Sequence, residues 1–232
     1  MAGSSGKVET AARAKMSQDY SNREDGKEGV LTTRVEVQNE SAYRCCIFVE
    51  ARFSLRMEDE KQGRNIGRLY AYIVDTKAKD EKGKSLFLSE MLTTTGDDRG
   101  EVEKVMQTMF TKTGNVRALF KAHRDDLTED RLLYIDTLTL QKKYRGKGLV
   151  QLAMDSFHEL MPTLADLFAF SGTVILSPAP SEDFKSKNRT GKSDIEIEAA
   201  LIASYEKSNY EVWLKGAEDM KDSVTVMGRR IS

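Results

Sequence analysis

The six residues Lys143-Tyr144-Arg145-Gly146-Lys147-Gly148 have the types and spacing needed to hold an anion against main-chain amides. Two glycines one residue apart let the backbone come close to a ligand, and an apolar helical pattern starts directly after them. The first amides of such a helix have no partner within it, and they point with the positive end of the helix dipole at whatever lies in front. A phosphate group suits that position, with Arg145 and Lys147 adding charge and the Arg145 fork able to take two phosphate oxygens at once. A solvated basic turn is the plain alternative. The dinucleotide fingerprint needs a third glycine that this turn lacks, which makes that reading weak. Gly191-Lys192-Ser193 imitates the end of a P-loop, but Ser186 stands where the earlier glycine belongs and no strand leads in.

The turn resembles the coenzyme A pyrophosphate loop of the GNAT superfamily of N-acetyltransferases, Gln or Arg, two residues, Gly, any residue, then Gly or Ala, with Lys143 at the first position. A second segment, 203–213 (ASYEKSNYEVW), resembles the superfamily's helix-to-strand junction. Asn209 replaces its usual glycine, and asparagine is the non-glycine residue that best tolerates the left-handed conformation a helix end needs. Tyr210 stands for phenylalanine, and Glu198 occupies a place where relatives often carry asparagine. The resemblance spans roughly residues 30–232. It implies an α+β fold of GNAT type, with a mixed, mostly antiparallel sheet flanked by helices and a helical insertion before the coenzyme-binding strand. It also implies acetyl-CoA (coenzyme A) as acyl donor and an N-acetyltransferase acting on a primary amine, either a small molecule or a protein lysine or N-terminus, by direct attack in a ternary complex. The alternative is a non-catalytic acyl-CoA-binding or sensing module, which Glu198 leaves open.

On that resemblance, Lys143 and the amides of Arg145, Gly146, Lys147, Gly148, Leu149 and Val150 take the pyrophosphate, and the backbone of Leu138, Thr139 and Leu140 pairs with the pantetheine arm and supplies an oxyanion donor. Tyr205 falls where many relatives keep a tyrosine that protonates the departing thiolate, and a phenol with pKa near ~10 suits that task. A tyrosine at a helix end is equally at home as core. Asp136, four residues before Leu140, falls where relatives carry a polar group that accepts the amine proton. An aspartate in an apolar strand otherwise faces solvent or caps a loop, and only burial would raise its pKa toward a useful range.

The elements that must position these groups follow from periodicity. Residues 132–140 (LLYIDTLTL) have no glycine or proline and read as a central strand. Leu149, Leu152, Ala153, Phe157, Leu160 and Met161 recur at helical steps until Pro162, which puts His158 on the outer side. Residues 30–38 alternate as an edge strand, and 45–57 and 68–75 form a hairpin around Gly63 and Gly67. Two amphipathic helices are expected within 96–130, then strands at 172–177, 210–214 and 223–231 and a helix at 194–207. Residues 1–29, polar and without periodicity, read as a disordered tail before a single domain at 30–232.

Composition narrows the class. With 36 Lys and Arg against 37 Asp and Glu in 232 residues, no basic field recruits nucleic acid. No apolar run reaches bilayer length and residues 1–28 have no signal core, so the expectation is no membrane and a cytoplasmic location, with the nucleus open. Cys45 and Cys46 are expected to send their side chains to opposite faces of a strand as reduced packing residues. Neither His123 nor His158 has partners at metal-ligand spacing, so no metal is expected. The acidic pairs Asp97-Asp98, Asp125-Asp126 and Glu129-Asp130 read as solvated loop ends or as steering for a cationic amine. The acceptor's identity and the choice between monomer and homodimer are not set by the sequence.

Overall fold

The computed structural model describes residues 10–21, 26–38, 41–95, 99–165, 167–179, 191, 193–216 and 224–232. Among them, strands β1 (Thr10–Ser21), β2 (Glu28–Gln38), β3 (Cys46–Met57), β4 (Arg64–Asp75), β5 (Arg131–Leu140), β6 (Gly172–Leu176), β7 (Glu211–Leu214) and β8 (Val226–Ile231) form one open sheet in the order β1-β2-β3-β4-β5-β6-β8-β7. Every neighbouring pair is antiparallel except β5 and β6. That parallel step needs a crossover. The helix α3 (Leu149–Leu160) provides it, and the architecture is α+β with a mostly antiparallel sheet.

Alternation along β2 to β5 divides the core in two. On one face Leu31, Val35, Val49, Phe53, Leu69, Ile73, Leu133 and Ile135 pack with Leu149, Ala153, Phe157 and Leu160 of α3. A buried hydroxyl pair, Thr33 Oγ1 to Ser156 Oγ at 2.6 Å, fixes α3 against β2. Helix α4 (Asp194–Glu206) lies on the same side, with Leu201, Ile202 and Tyr205 against this core. On the other face Cys46, Val74, Leu132, Tyr134 and Ile175 meet the segment that separates β4 from β5. That segment contains a five-residue π turn (Leu88–Leu92), α1 (Glu101–Met109), a 3-10 turn (Ala118–His123) and the short α2 (Arg124–Leu127). Val102, Val105, Met106 and Met109 of α1 are buried on it, as the spacing anticipated.

Three expectations need correction. Thr10–Ser21 is not a disordered tail: it pairs along β2 from Ala12↔Val37 to Ser21↔Glu28 and removes β2 from the edge. Its inward positions are Ala12, Ala14, Met16, Gln18 and Tyr20, and three of the five, Ala12, Ala14 and Gln18, are too small or too polar for the period-2 pattern to register as a strand. Cys45 and Cys46 do not face opposite ways. Cys45 sits in the turn before β3, where alternation does not apply, and both thiols are buried in the second core with their sulfurs 3.8 Å apart.

His158 is not on an outer face either. It is 4 % exposed, and its Nε2 bonds the Tyr210 hydroxyl at 2.8 Å because the chain after α4 folds across it. Burial, then the nearby Arg229 charge, pushes its pKa down to about 3. The unfolded imidazole takes a proton near ~6.5, so the native state is favoured fully above that pH and loses ground as pH falls toward about 3. Denaturant titrations at pH 7 and pH 4 are expected to show a larger acid loss for the wild type than for His158→Gln. Equal losses would remove His158 as the cause.

No helix among the described residues is long and apolar enough to cross a membrane.

Candidate functional site

β5 ends at Leu140 and the chain turns through Lys142–Tyr144 into the glycine pair. Gly146 (φ +77°) and Gly148 (φ +74°) are both left-handed, a conformation that L side chains rarely adopt. Nothing lies within 4 Å of the Cβ position of either, so the space beside each glycine is open. Gly148 caps α3 without any side-chain bond. Leu152 is the first helix amide with a local acceptor, the Gly148 carbonyl at 3.4 Å. The amides of Leu149, Val150 and Gln151 therefore point back along the axis without helical partners. Buried Leu149 and half-buried Val150 root this end in the core.

Side chains around the turn stiffen it. The Lys143 ammonium lies 4.8 Å from the Tyr144 ring centroid, and the exposed Arg145 donates from Nε to the Leu140 carbonyl at 2.9 Å, which anchors the guanidinium at the strand end. From the far edge of the sheet, the Tyr20 hydroxyl donates to the Lys147 carbonyl at 3.4 Å.

The sheet opens next to this turn. β5 pairs with β6 only at Leu133↔Val174, Tyr134↔Ile175 and Ile135↔Leu176, whereas its pairing with β4 continues to Leu140↔Gly67. Among the described residues no strand joins the β6 side of Asp136 to Leu140, and on that stretch the Leu140 carbonyl accepts from Arg145 Nε. Leu138 is half-buried, Thr139 exposed and Leu140 buried. Where the strands part, Tyr70 pairs with Thr137 and Ala71 with Ile135, so Asp136 is the extra residue of a β-bulge. Bulges re-aim the side chain they carry.

Asp136 is half-buried and accepts a hydrogen bond from Thr137 Oγ1 at 3.1 Å. Burial raises its pKa above the usual carboxylate value, the Thr137 bond opposes this, and Glu101 at the start of α1 adds to it. Tyr134, two residues earlier on the same strand and opposite Tyr72, is raised well above an ordinary phenol, first by burial and then by Asp136, Glu101, Tyr205 and Tyr72. Asp136 lies on the strand that carries Tyr134, whereas Tyr205 packs in the first core and Tyr134 in the second.

Tyr205 is held by the end of α4. Asn209 adopts φ +60°, the Tyr210 amide bonds the Tyr205 carbonyl at 3.3 Å, and the Asn209 amide bonds the Glu206 carbonyl at 3.0 Å. This is a Schellman closure with asparagine in the usual glycine place. Its side-chain contact is the Tyr205–Tyr210 ring pair, centroids 6.1 Å apart. The Tyr205 ring is buried, its pKa is pushed up to about 12 by burial, and its hydroxyl has no hydrogen bond among the described residues. Glu198, one face along α4, accepts from Thr225 Oγ1.

Sequence reasoning missed Tyr134, Tyr72 and Glu101. The first was legible as the residue two before Asp136, on the same alternation. The others depend on the β4–β5 register and on where α1 docks. A separate cleft of about 570 Å³, lined by Thr76, Lys77, Phe87, Phe110, Arg124 and Leu127 among others, sits near the start of β5, a strand length (about 30 Å) from the turn, and shares no residue with this site. Among the described residues no three His, Cys, Asp or Glu side chains cluster as metal ligands. The arrangement suits a ligand with an anionic head at the turn and an extended arm along β5. Compared with known proteins, the chain matches no family model and no curated protein.

Proposed function

We propose that the chain is an acetyl-CoA-dependent N-acetyltransferase of the GNAT type, acting on a primary amine. The observation that carries this reading is the divergence of β5 from β6 beyond Ile135, with a glycine turn and unpartnered helix amides at its outer end and the half-buried Asp136 on a bulge at its inner end. When bound, acetyl-CoA supplies the activated acyl carbon. The amides of residues 146–151 hold the diphosphate, that of Arg145 being bonded to the Lys142 carbonyl, with Arg145, Lys147 and Lys143 contributing charge, and the edge of Leu138, Thr139 and Leu140 not joined by β6 hydrogen-bonds the arm and offers an amide to the thioester oxygen. The Asp136 carboxylate accepts the proton that the ammonium must lose, and the Tyr205 hydroxyl holds a proton for the sulfur.

Acetyl-CoA is expected to raise the unfolding free energy by about 2.7 kcal/mol at a hundredfold excess over Kd. A thiol-release assay across an amine panel is expected to show amine-dependent turnover. A second reading, an acyl-CoA-binding module without turnover, draws on the burial of Tyr205 in the core and on the tie between Glu198 and Thr225. Tight acetyl-CoA binding with no amine-dependent thiol release would select it.

Asp136 gives a paired prediction. Its folded pKa lies above its unfolded one, so its contribution to stability is present at acid pH and lost as pH rises through the folded value. Asp136→Asn is therefore expected to unfold at higher denaturant concentration than wild type at pH 7 while turnover falls by about 10²-fold. A variant that is no more stable, or that turns over normally, would show that the carboxylate neither suffers from burial nor serves as base.

A further inference from the structure

We propose that the cleft near the start of β5 is a binding site for a small carboxylate with an apolar body, separate from the acetyl-CoA site and independent of that reading. Its volume of about 570 Å³ falls in the range of small-molecule sites. Three segments wall it: the chain after β4, the turn after α1, and the short α2. Main-chain hydrogen bonds hold each of them, from the Thr76 amide to the Asp130 carbonyl at 2.9 Å, from Thr111 to Asn115 at 2.8 Å, and from Thr128 to Arg124 at 3.0 Å. The cleft is therefore shaped before any ligand arrives.

Two kinds of surface meet in it. Phe87 and Phe110, an edge-to-face pair with centroids 5.3 Å apart, and the buried Leu127 supply the apolar part. Lys77 and Arg124 supply positive charge, and no acidic residue is in the lining among the described residues. Neither cation has an ion pair or a side-chain hydrogen bond among the described residues. The carboxylates nearest to them in sequence are engaged elsewhere or lie in solvent. Asp75 accepts from the main-chain amide of Lys77 at 2.8 Å, Asp126 and Glu129 pair with Arg230, and Asp125 and Asp130 are exposed.

A ligand carboxylate completes this arrangement. The Arg124 fork can take both of its oxygens and the Lys77 ammonium adds a point charge. The Ser85 hydroxyl accepts from the Leu88 amide at 3.2 Å and keeps its own proton to donate. A neutral ligand leaves both cations without a counter-charge, an ammonium is repelled by them, and a bare inorganic anion leaves the phenylalanine edges in water.

The test titrates the full chain with 3-phenylpropanoate, 3-phenyl-1-propanol and 3-phenylpropylamine, which share ring and spacer and end in a negative, a neutral and a positive group. The only tryptophan, Trp213, stacks on His123 with centroids 4.4 Å apart, next in sequence to Arg124, so its fluorescence reports on this wall of the cleft. Calorimetric titration measures the same affinities without that reporter. The carboxylate is expected to bind with Kd of about 1 mM or tighter, and the alcohol and the amine at least about tenfold more weakly. Lys77→Gln and Arg124→Gln are each expected to weaken the carboxylate by about fivefold and to leave the alcohol unchanged. Both residues are exposed, so both variants should fold, which an unchanged melting temperature checks. Thr113→Phe, at an exposed position of the lining, is expected to narrow the cleft and abolish binding. Equal affinity for carboxylate and alcohol, affinities untouched in both glutamine variants, or no carboxylate binding at 10 mM overturns the assignment. None of these outcomes bears on acetyl-CoA, since the cleft shares no residue with the glycine turn.

Discussion

Gly146→Glu is expected to weaken acetyl-CoA binding by at least about 100-fold, some 2.7 kcal/mol, while the protein still folds. Two effects add. Gly146 holds φ +77°, where any side chain costs roughly 1–2 kcal/mol, so the turn relaxes away from the geometry that aims its amides. A carboxylate there also competes for the amides of Leu149 to Gln151 and repels a diphosphate. The residue is exposed with no neighbour within 4 Å, so no core contact is broken and the melting temperature should fall by only a few degrees. Calorimetric titration of the variant decides the matter. Affinity within threefold of wild type would mean that the turn does not hold the ligand.

Tyr205→Phe is expected to lower kcat by about 10²-fold or more with little change in KM for acetyl-CoA. The structure makes this a clean substitution. The Tyr205 hydroxyl has no hydrogen bond among the described residues, while the ring packs against Tyr210 and the first core. Phenylalanine keeps the ring and sheds a poorly solvated group, so stability should hold or rise slightly. A tyrosine that only fills space predicts unchanged turnover, and a kcat within twofold of wild type would assign Tyr205 to the core. With its pKa pushed up to about 12, the wild-type phenol keeps its proton across the working pH range, so it should contribute no alkaline limb to the rate below pH 9.

The parts of this architecture that could be read from the residues alone are those with local causes. The hairpin of β3 and β4, the strand of Leu132 to Leu140 and the helix after Gly148 declare themselves by alternation and by helical spacing. The left-handed Asn209 follows from what a helix terminus demands of its last residue. What escaped depends on contacts distant in sequence. β1 is a strand because β2 pairs with it and Tyr20 finds the core, not because its own residues insist on it. The insertion's second helix became a 3-10 turn and a four-residue helix, with Phe120 outside helical geometry, because its charged residues have little apolar face to bury. The burial of His158 depends on the returning chain at Tyr210. At the site, Asp136 and Tyr205 could be named from their places in two segments. That a bulge falls at Asp136, and that Tyr72 stands opposite Tyr134, comes from sheet register.

The bond from Tyr20 to the carbonyl of Lys147 joins two points 127 residues apart. The outermost strand thus braces the glycine turn, the proposed ligand grip, from the far side of the sheet. A bulky fusion that peels the first strand away would remove that brace from the turn while leaving the β4–β5 bulge at Asp136 in place.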